Sequence, residues 1–312
     1  MGHIAVVLNA SSGGGAAEKA AEQLKEIFAA AGKEARITLA SGGREIATAM
    51  RRAVEGGCET LVACGGDGTI NSGASVAVER GITLGVLPLG TLNHFAKDLG
   101  IPPDLEEAAK VVLADVVCKV DVGEINGRIF LNNSSLGVYP AIVRLREKYQ
   151  ATLRGKWLAA LWASLTVLRR SPFMAVRIVA EGETIVRRTP LVLVGNNEYK
   201  MSGIQAASRE SLAQGRLALY VLNAERRPGL LRLGWEVFFK GAEHVKEVDL
   251  ITVEEATIET RRRRLQVATD GEVFTLESPL NYRIRPGALR VHVPGAASAC
   301  YPHPPGPSST RS

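Results

Sequence analysis

Two short stretches carry residues whose types and spacing can do chemistry. Gly65-Gly66-Asp67-Gly68-Thr69 sets one acid among glycines, directly behind the apolar run Leu61–Cys64. Glycine lets a backbone approach a ligand with no Cβ in the way. A hydroxyl at Thr69 can cap a following helix, whose free N–H groups and dipole favour an anion. The stretch therefore reads as a phosphate cradle. Asp67 would repel a polyphosphate unless a cation sat between them, and magnesium, held directly or through water, supplies one. The plainer alternative is a tight turn in which Asp67 only caps or bridges. The second stretch is Asp270-Gly271-Glu272. If strand pairing persists through Gly271, both carboxylates share one face. They can then hold magnesium or take a proton from an attacking hydroxyl. The alternative is a surface β-turn built on Asp-Gly.

Two further loops have the composition of the first. Asn9–Gly15 (NASSGGG) follows an apolar run, and Leu87–Phe95 (LPLGTLNHF) follows another. Three glycine- and hydroxyl-bearing loops at one sheet edge can hold a nucleoside triphosphate. No GxxxxGK[ST] and no helix-opening GxGxxG occurs, which excludes a P-loop and weakens a dinucleotide dehydrogenase.

The elements that must position these loops alternate. Strands are expected at 4–9, 34–39, 60–66 and 83–88, and helices at 16–32, 44–57, 69–79 and 104–114. This order implies a parallel sheet covered on both faces, with ligands beyond the carboxyl ends of its strands. The style changes near Asp121. Asn126-Gly127 signals a hairpin, a helical stretch is expected at about 140–170, and many short strands follow, interrupted by a helix near 228–240. That half reads as antiparallel β. The Pro-, Gly- and Ser-rich tail, 295–312, reads as disordered.

Composition bounds the function. A chain of 312 residues exceeds one typical core, so two domains are the default. A net charge of +6 fits an anionic ligand or a membrane surface. Aromatic residues are only 5%, with no basic–aromatic interleaving, and nucleic acid is not expected as a partner. Cys58, Cys64, Cys118 and Cys300 are scattered, so neither a disulfide scaffold nor a zinc site is expected, and a reducing cytoplasm suits the chain. No leader is visible, and the apolar run Trp157–Leu168 is too short to span a bilayer, so membrane contact should be peripheral. Arg261 to Arg264 form the strongest charge run. On a strand they would split two per face and support transient contact with an anionic membrane.

Taken together, GGDGTIN (65–71), PLGTLNHFAKDLGIP (88–102) and DGEV (270–273), in this order, resemble the diacylglycerol kinase catalytic family, which includes bacterial soluble lipid kinases and the sphingosine and ceramide kinases. The likeness extends over nearly the whole chain except the tail. GGDG alone is shared with phosphofructokinases and NAD kinases. The resemblance implies a Rossmann-like, phosphofructokinase- and NAD-kinase-like ATP-binding α/β domain at 1–122. It implies a β-rich antiparallel sandwich for the lipid substrate at 123–294, with the final strand free to return to the first domain, and an active site in the cleft between the two. It implies ATP contacts from Asn9, Thr38, the segment Gly65, Gly66, Asp67, Gly68, Thr69 to Asn71, and Thr91, with Asn93 fixing its loop. It implies that the acids of Asp270–Glu272 serve catalysis. Glu272 is favoured as proton acceptor and Asp270 as its partner or a magnesium contact. Lys156 and Arg154 are candidate cations for the transferred group, and a homodimer stays open. Two departures follow. Gln214 and Ala218 stand where bacterial relatives often carry acids of an accessory magnesium site, so that metal should be absent or weak, although Asp121 remains. His94 replaces a commoner aspartate.

Overall fold

The computed structural model describes residues 3–12, 15–137, 173–200, 208–209, 211–222 and 248–295. The helices expected at 140–170 and 228–240, the basic pair Arg154 and Lys156, the apolar run from Trp157 and the tail beyond Gly295 lie outside these residues. The chain forms two compact units. The first takes the chain up to Val122, Ser211–Ala213 and the chain from Pro286; the second takes Gly123–Glu210 and Gln214–Arg285.

In the first unit β1 (Ile4–Asn9), α1 (Ala16–Ala30), β2 (Ala35–Ala40), α2 (Gly43–Glu55), β3 (Thr60–Gly65), α3 (Asp67–Arg80) and β4 (Thr83–Pro88) alternate. The short α4 (His94–Asp98), α5 (Leu105–Leu113) and the first part of β5 (Val117–Ile125) follow. The strands lie parallel in the order β2-β1-β3-β4. Val6, Leu8, Val62, Cys64 and Leu87 are fully buried, as strands covered on both faces require. Leu24 and Phe28 of α1, Ile70 and Ala74 of α3, and Ala108 of α5 supply the covering layers. Gly73 lets α3 sit close on β3, since a Cβ there would stand 2.8 Å from that of Ala63. Asp104 caps α5 by accepting from the Glu107 amide at 3.0 Å.

The second unit is a sandwich of mostly antiparallel strands. One sheet orders β14 (Val248–Val253), β13 (Leu217–Leu222), β10 (Leu191–Asn196), β7 (Asn133–Gly137), β16 (Arg264–Thr269) and β17 (Glu272–Glu277). The other holds the first part of β18 (Leu280–His292), then β15 (Glu255–Thr260), β8 (Met174–Ala180) and β9 (Glu183–Thr189), with β6 (Arg128–Phe130) paired to β5. A small pair, β11 (Tyr199–Lys200) and β12 (Ser208–Arg209), stands apart. Val176, Ile178, Ile258 and Tyr282 from one sheet pack with Val192, Leu219 and Val267 from the other. β18 is shared along its length. Ala256 pairs with its Tyr282 in the second unit, and Arg290 and Val291 pair with Thr83 and Leu84 of β4 in the first. No helix among the described residues is long and apolar enough to cross a membrane. Cys58 and Cys64 are free and buried, and Cys118 is disulfide-bonded.

Candidate active site

Parallel register brings three loops of the first unit to one edge. β3 and β4 pair through Gly65 and Pro88, so the chains that follow leave side by side, and the Leu89 amide donates to the Gly65 carbonyl at 2.9 Å. Gly66 and Gly90 then pack backbone on backbone: a Cβ on Gly90 would stand 2.6 Å from the Gly66 Cα. At the end of β1, Asn9 donates its side-chain amide to Thr69 Oγ1 at 3.2 Å and accepts from the Ser11 amide at 2.9 Å. The Asn9, Gly65–Asn71 and Gly90–Asn93 segments thus form one cluster.

The helix begins earlier than the sequence suggests. Gly66 occupies the N-cap position of α3, Asp67 is its first residue, and no side chain caps it. Thr69 is therefore not a cap. It is buried inside the first turn, and its side chain fills the space a Cβ on Gly65 would need. The amides of Thr69 and Ile70 both return to the Gly66 carbonyl, at 2.9 and 3.1 Å. Asn93 takes a left-handed conformation, with φ 49°, and donates to the Gly90 carbonyl at 2.7 Å.

Three buried oxygens in this cluster lack a hydrogen-bond partner: Asp67 Oδ1, Asn71 Oδ1 and Asn93 Oδ1. Buried acceptors left unpaired cost about 1–3 kcal/mol each, so their grouping calls for an explanation. Oxygen acceptors beside a helix N-terminus and a wall of glycines suit a phosphate chain with a hard cation. Among the described residues no group of three or more His, Cys, Asp and Glu side chains stands ready for a metal. Magnesium bound with a nucleotide needs only one or two carboxylates beside the phosphate oxygens. Asp67 fits that role.

Thr91 is exposed on the same loop as Gly90. Thr38 is placed elsewhere. It pairs with Val7, two rows back from Asn9, and lines a cavity of about 280 Å³ with Arg36, Ala40, Glu45 and Arg52 between β2 and α2. Gly68 lies within the first turn of α3, and its carbonyl accepts from Ser72 Oγ at 3.0 Å.

Asp270 and Glu272 do not share a strand face. Thr269 pairs with Glu272, and Asp270 and Gly271, at φ 48° and 85°, form the two-residue turn between β16 and β17. Both positive angles are those of a type I′ hairpin turn, for which Asp-Gly is a favoured pair. Nor is the turn a plain surface one. The Asp270 carboxylate is directed inward, where Oδ2 accepts from the Leu131 amide at 2.7 Å and Oδ1 from those of Asn132 and Asn133 at 2.8 and 3.1 Å. Burial pushes this carboxyl up to about 6, against the opposing pull of the three amides and of the Arg209 charge. Glu272 opens β17 and is exposed.

Arg209 is a buried residue that nothing in its local sequence marks. It donates to the Leu131 carbonyl at 2.6 Å, the Asn196 carbonyl at 3.1 Å and Asn132 Oδ1 at 2.9 Å. The Leu131–Asn133 loop is thus held through its amides by Asp270 and through its acceptors by Arg209. At the expected accessory-metal position, Gln214 Oε1 accepts from the Glu198 amide at 3.1 Å and Ala218 is buried in β13. Asp121, fully buried in the first unit, accepts from the Gly287 amide at 2.9 Å.

Comparison with known proteins agrees with this architecture. Residues 3–125 match the diacylglycerol kinase catalytic domain, and residues 137–293 match the YegS C-terminal NAD kinase beta sandwich-like domain. The chain belongs to the diacylglycerol kinase family of lipid kinases. It is 31% identical to a "Probable lipid kinase YegS-like" of Pseudomonas aeruginosa over 88% of this chain and 91% of that protein. It is 28% identical to a "Diacylglycerol kinase" of Mycobacterium tuberculosis over 93% and 95% of the two chains. A crystal structure of a diacylglycerol kinase from Bacillus anthracis shares the fold, with a TM-score of 0.67 at 22% identity, covering 95% of this chain and 98% of that one.

Proposed function

We propose that this family member is an ATP-dependent kinase that phosphorylates the hydroxyl of diacylglycerol or a similar lipid alcohol, in the cytoplasm and in transient contact with a membrane surface. The observation that carries the reading is the cluster at Gly66 and Gly90, with unpaired oxygens on Asp67, Asn71 and Asn93. The amides at the start of α3 bind phosphate oxygens, and the missing Cβ atoms let the chain come close. Magnesium, when bound, neutralises charge on the phosphates, and Asp67 is the residue that would hold it. Positioning and charge stabilisation supply most of the rate in phosphoryl transfer.

The two acids take different parts. Both Asp270 oxygens already accept amide hydrogens, which suits holding the turn in place. Exposed Glu272 takes the proton from the lipid hydroxyl as its oxygen forms a bond to the γ-phosphorus, while the bond to the ADP oxygen breaks.

Incubation of the protein with radiolabelled ATP, magnesium and lipid extracts in mixed micelles tests this. Label should enter a chloroform-soluble product and be lost in Asp67→Ala and Glu272→Gln variants. Label only in water-soluble acceptors would point to a kinase of another alcohol, such as a sugar or nucleotide. Nucleotide binding without turnover would point to a regulator.

A further inference from the structure

The four-arginine run does not lie along a strand. Arg261, Arg262 and Arg263 form the link between β15 and β16, and only Arg264 enters a strand. The link is fixed by its own hydrogen bonds. Thr260 Oγ1 donates to the Arg262 carbonyl at 3.0 Å and accepts from the Arg262 amide at 3.2 Å, while the Thr260 amide donates to Ser278 Oγ at 3.2 Å.

This fixed link divides the run by function. Arg263 and Arg264 both reach Glu277, at 3.8 and 3.6 Å. Arg261 and Arg262 instead line a groove of about 420 Å³ with Arg188, Phe173, Met174 and Leu265. Register explains the meeting. Ala175 of β8 faces Arg188 of β9, and Val176 faces Thr260 of β15, so all three strands bring these residues to one end of the sheet. The guanidinium of Arg188 lies 5.6 Å from the Phe173 ring centre. Its neighbour Arg187 is neutralised by Asp249 at 3.3 Å, but none of the three groove arginines forms an ion pair with a described residue, and no described residue lining the groove carries a carboxylate. Three exposed cations over an apolar floor of Phe173, Met174 and Leu265 complement an anion attached to an apolar body. Cations alone would suit any anion; the apolar floor selects one anchored in an apolar phase.

We propose that this groove docks the protein on an anionic phospholipid bilayer, with Arg188, Arg261 and Arg262 on a headgroup phosphate and the apolar floor against the glycerol and upper acyl region. The proposal rests on the membrane contact proposed above and names the surface that makes it; docking needs neither nucleotide nor turnover, so it and the kinase activity can fail separately.

Co-sedimentation of the full chain with vesicles, without ATP, is the test. Binding to phosphatidylcholine vesicles containing phosphatidylglycerol should exceed binding to phosphatidylcholine alone and weaken with salt. Replacing Arg188, Arg261 and Arg262 by alanine should lower it about fivefold per arginine. The Arg263→Ala/Arg264→Ala pair, of which Glu277 can offset only one charge, should lower it far less than the triple groove variant, by about fivefold. A variant with lysine at the three groove positions keeps the charge and should bind within a few-fold of wild type, which separates docking from misfolding. The proposal fails if anionic vesicles are not preferred, if the two alanine sets lose binding equally, if the lysine variant also releases the vesicles, or if inorganic phosphate at matched ionic strength displaces them.

Discussion

The side-chain amide of Asn9 meets Oγ1 of Thr69 at 3.2 Å, so the end of β1 is tied to the first turn of α3 across 60 residues of sequence. Removing the acceptor with a side chain of the same shape tests the tie. Thr69→Val should cost about 1 kcal/mol of stability, the net worth of one hydrogen bond. It should also raise the KM for ATP more than it lowers kcat, because the loss falls on the proposed nucleotide cradle. Chemical denaturation and steady-state kinetics on one preparation separate the two effects.

Gly90→Ala should be the more damaging change although it adds one methyl. The new Cβ would stand 2.6 Å from both the Gly66 Cα and Asn93 Oδ1, so one of the two loops must move. Overpacking of this kind costs about 1–3 kcal/mol. ATP binding, measured by calorimetry, should weaken at least tenfold. Unchanged affinity would show that the contact between the loops does not shape the nucleotide site.

The two acids should separate in their effects. Asp270→Asn turns an acceptor toward three amides into a group that is partly a donor, which should lower stability by about 1–3 kcal/mol. Glu272→Gln, at an exposed strand end, should cost no more than about 1 kcal/mol of stability and reduce kcat by about a hundredfold or more.

Asp270 also sets a pH dependence. Its folded pKa, near 6, lies above the ordinary carboxyl value of 3.8. Between the two values the folded state binds more protons than the unfolded one. The contribution to stability is therefore fully present below about pH 4 and lost as pH rises through 6. A shift of roughly two units corresponds to about 3 kcal/mol. The difference in unfolding free energy between wild type and Asp270→Asn should shrink by about that amount from pH 4 to 7. A constant difference would mean that the three amides, not burial, govern the carboxyl.

Gln214 uses its side-chain oxygen on the Glu198 amide, and Ala218 offers no ligand. Crystals soaked in manganese should show no full-occupancy anomalous peak beside Gln214. Gln214→Asp alone should not create one, because a hard cation needs more than one added carboxylate.

Much of the α/β unit was legible because strands covered on both faces are apolar throughout, as in Ile4–Leu8 and Leu61–Cys64, and helices such as α1 between them are rich in good helix formers. The clustering of the glycine-bearing loops was legible for the same reason: they follow such strands directly. β9 carries little strand signal, because it is exposed along most of its length and reads as Glu, Thr and Arg. α4, with five residues, is too short to show a period. Asp270-Gly271 admits two readings in the sequence, a continued strand or a surface β-turn; the turn is the one that forms, but its carboxylate is directed inward. The amides that hold Asp270 lie 137 to 139 residues earlier, and the acceptors that hold Arg209 lie up to 78 residues away. No local pattern reports such partners, which only the fold brings together.

β18 has a consequence for the order in which the protein can be completed. Thr83 and Leu84 of β4 find their outer neighbours in Arg290 and Val291, near the end of the chain. During synthesis the helices and strands of the first unit leave the ribosome with one margin of their sheet still open. That margin is closed only when the last strand arrives. A truncation before Leu280 should therefore leave the first unit prone to edge-to-edge association along β4, about 200 residues earlier in the sequence than the cut.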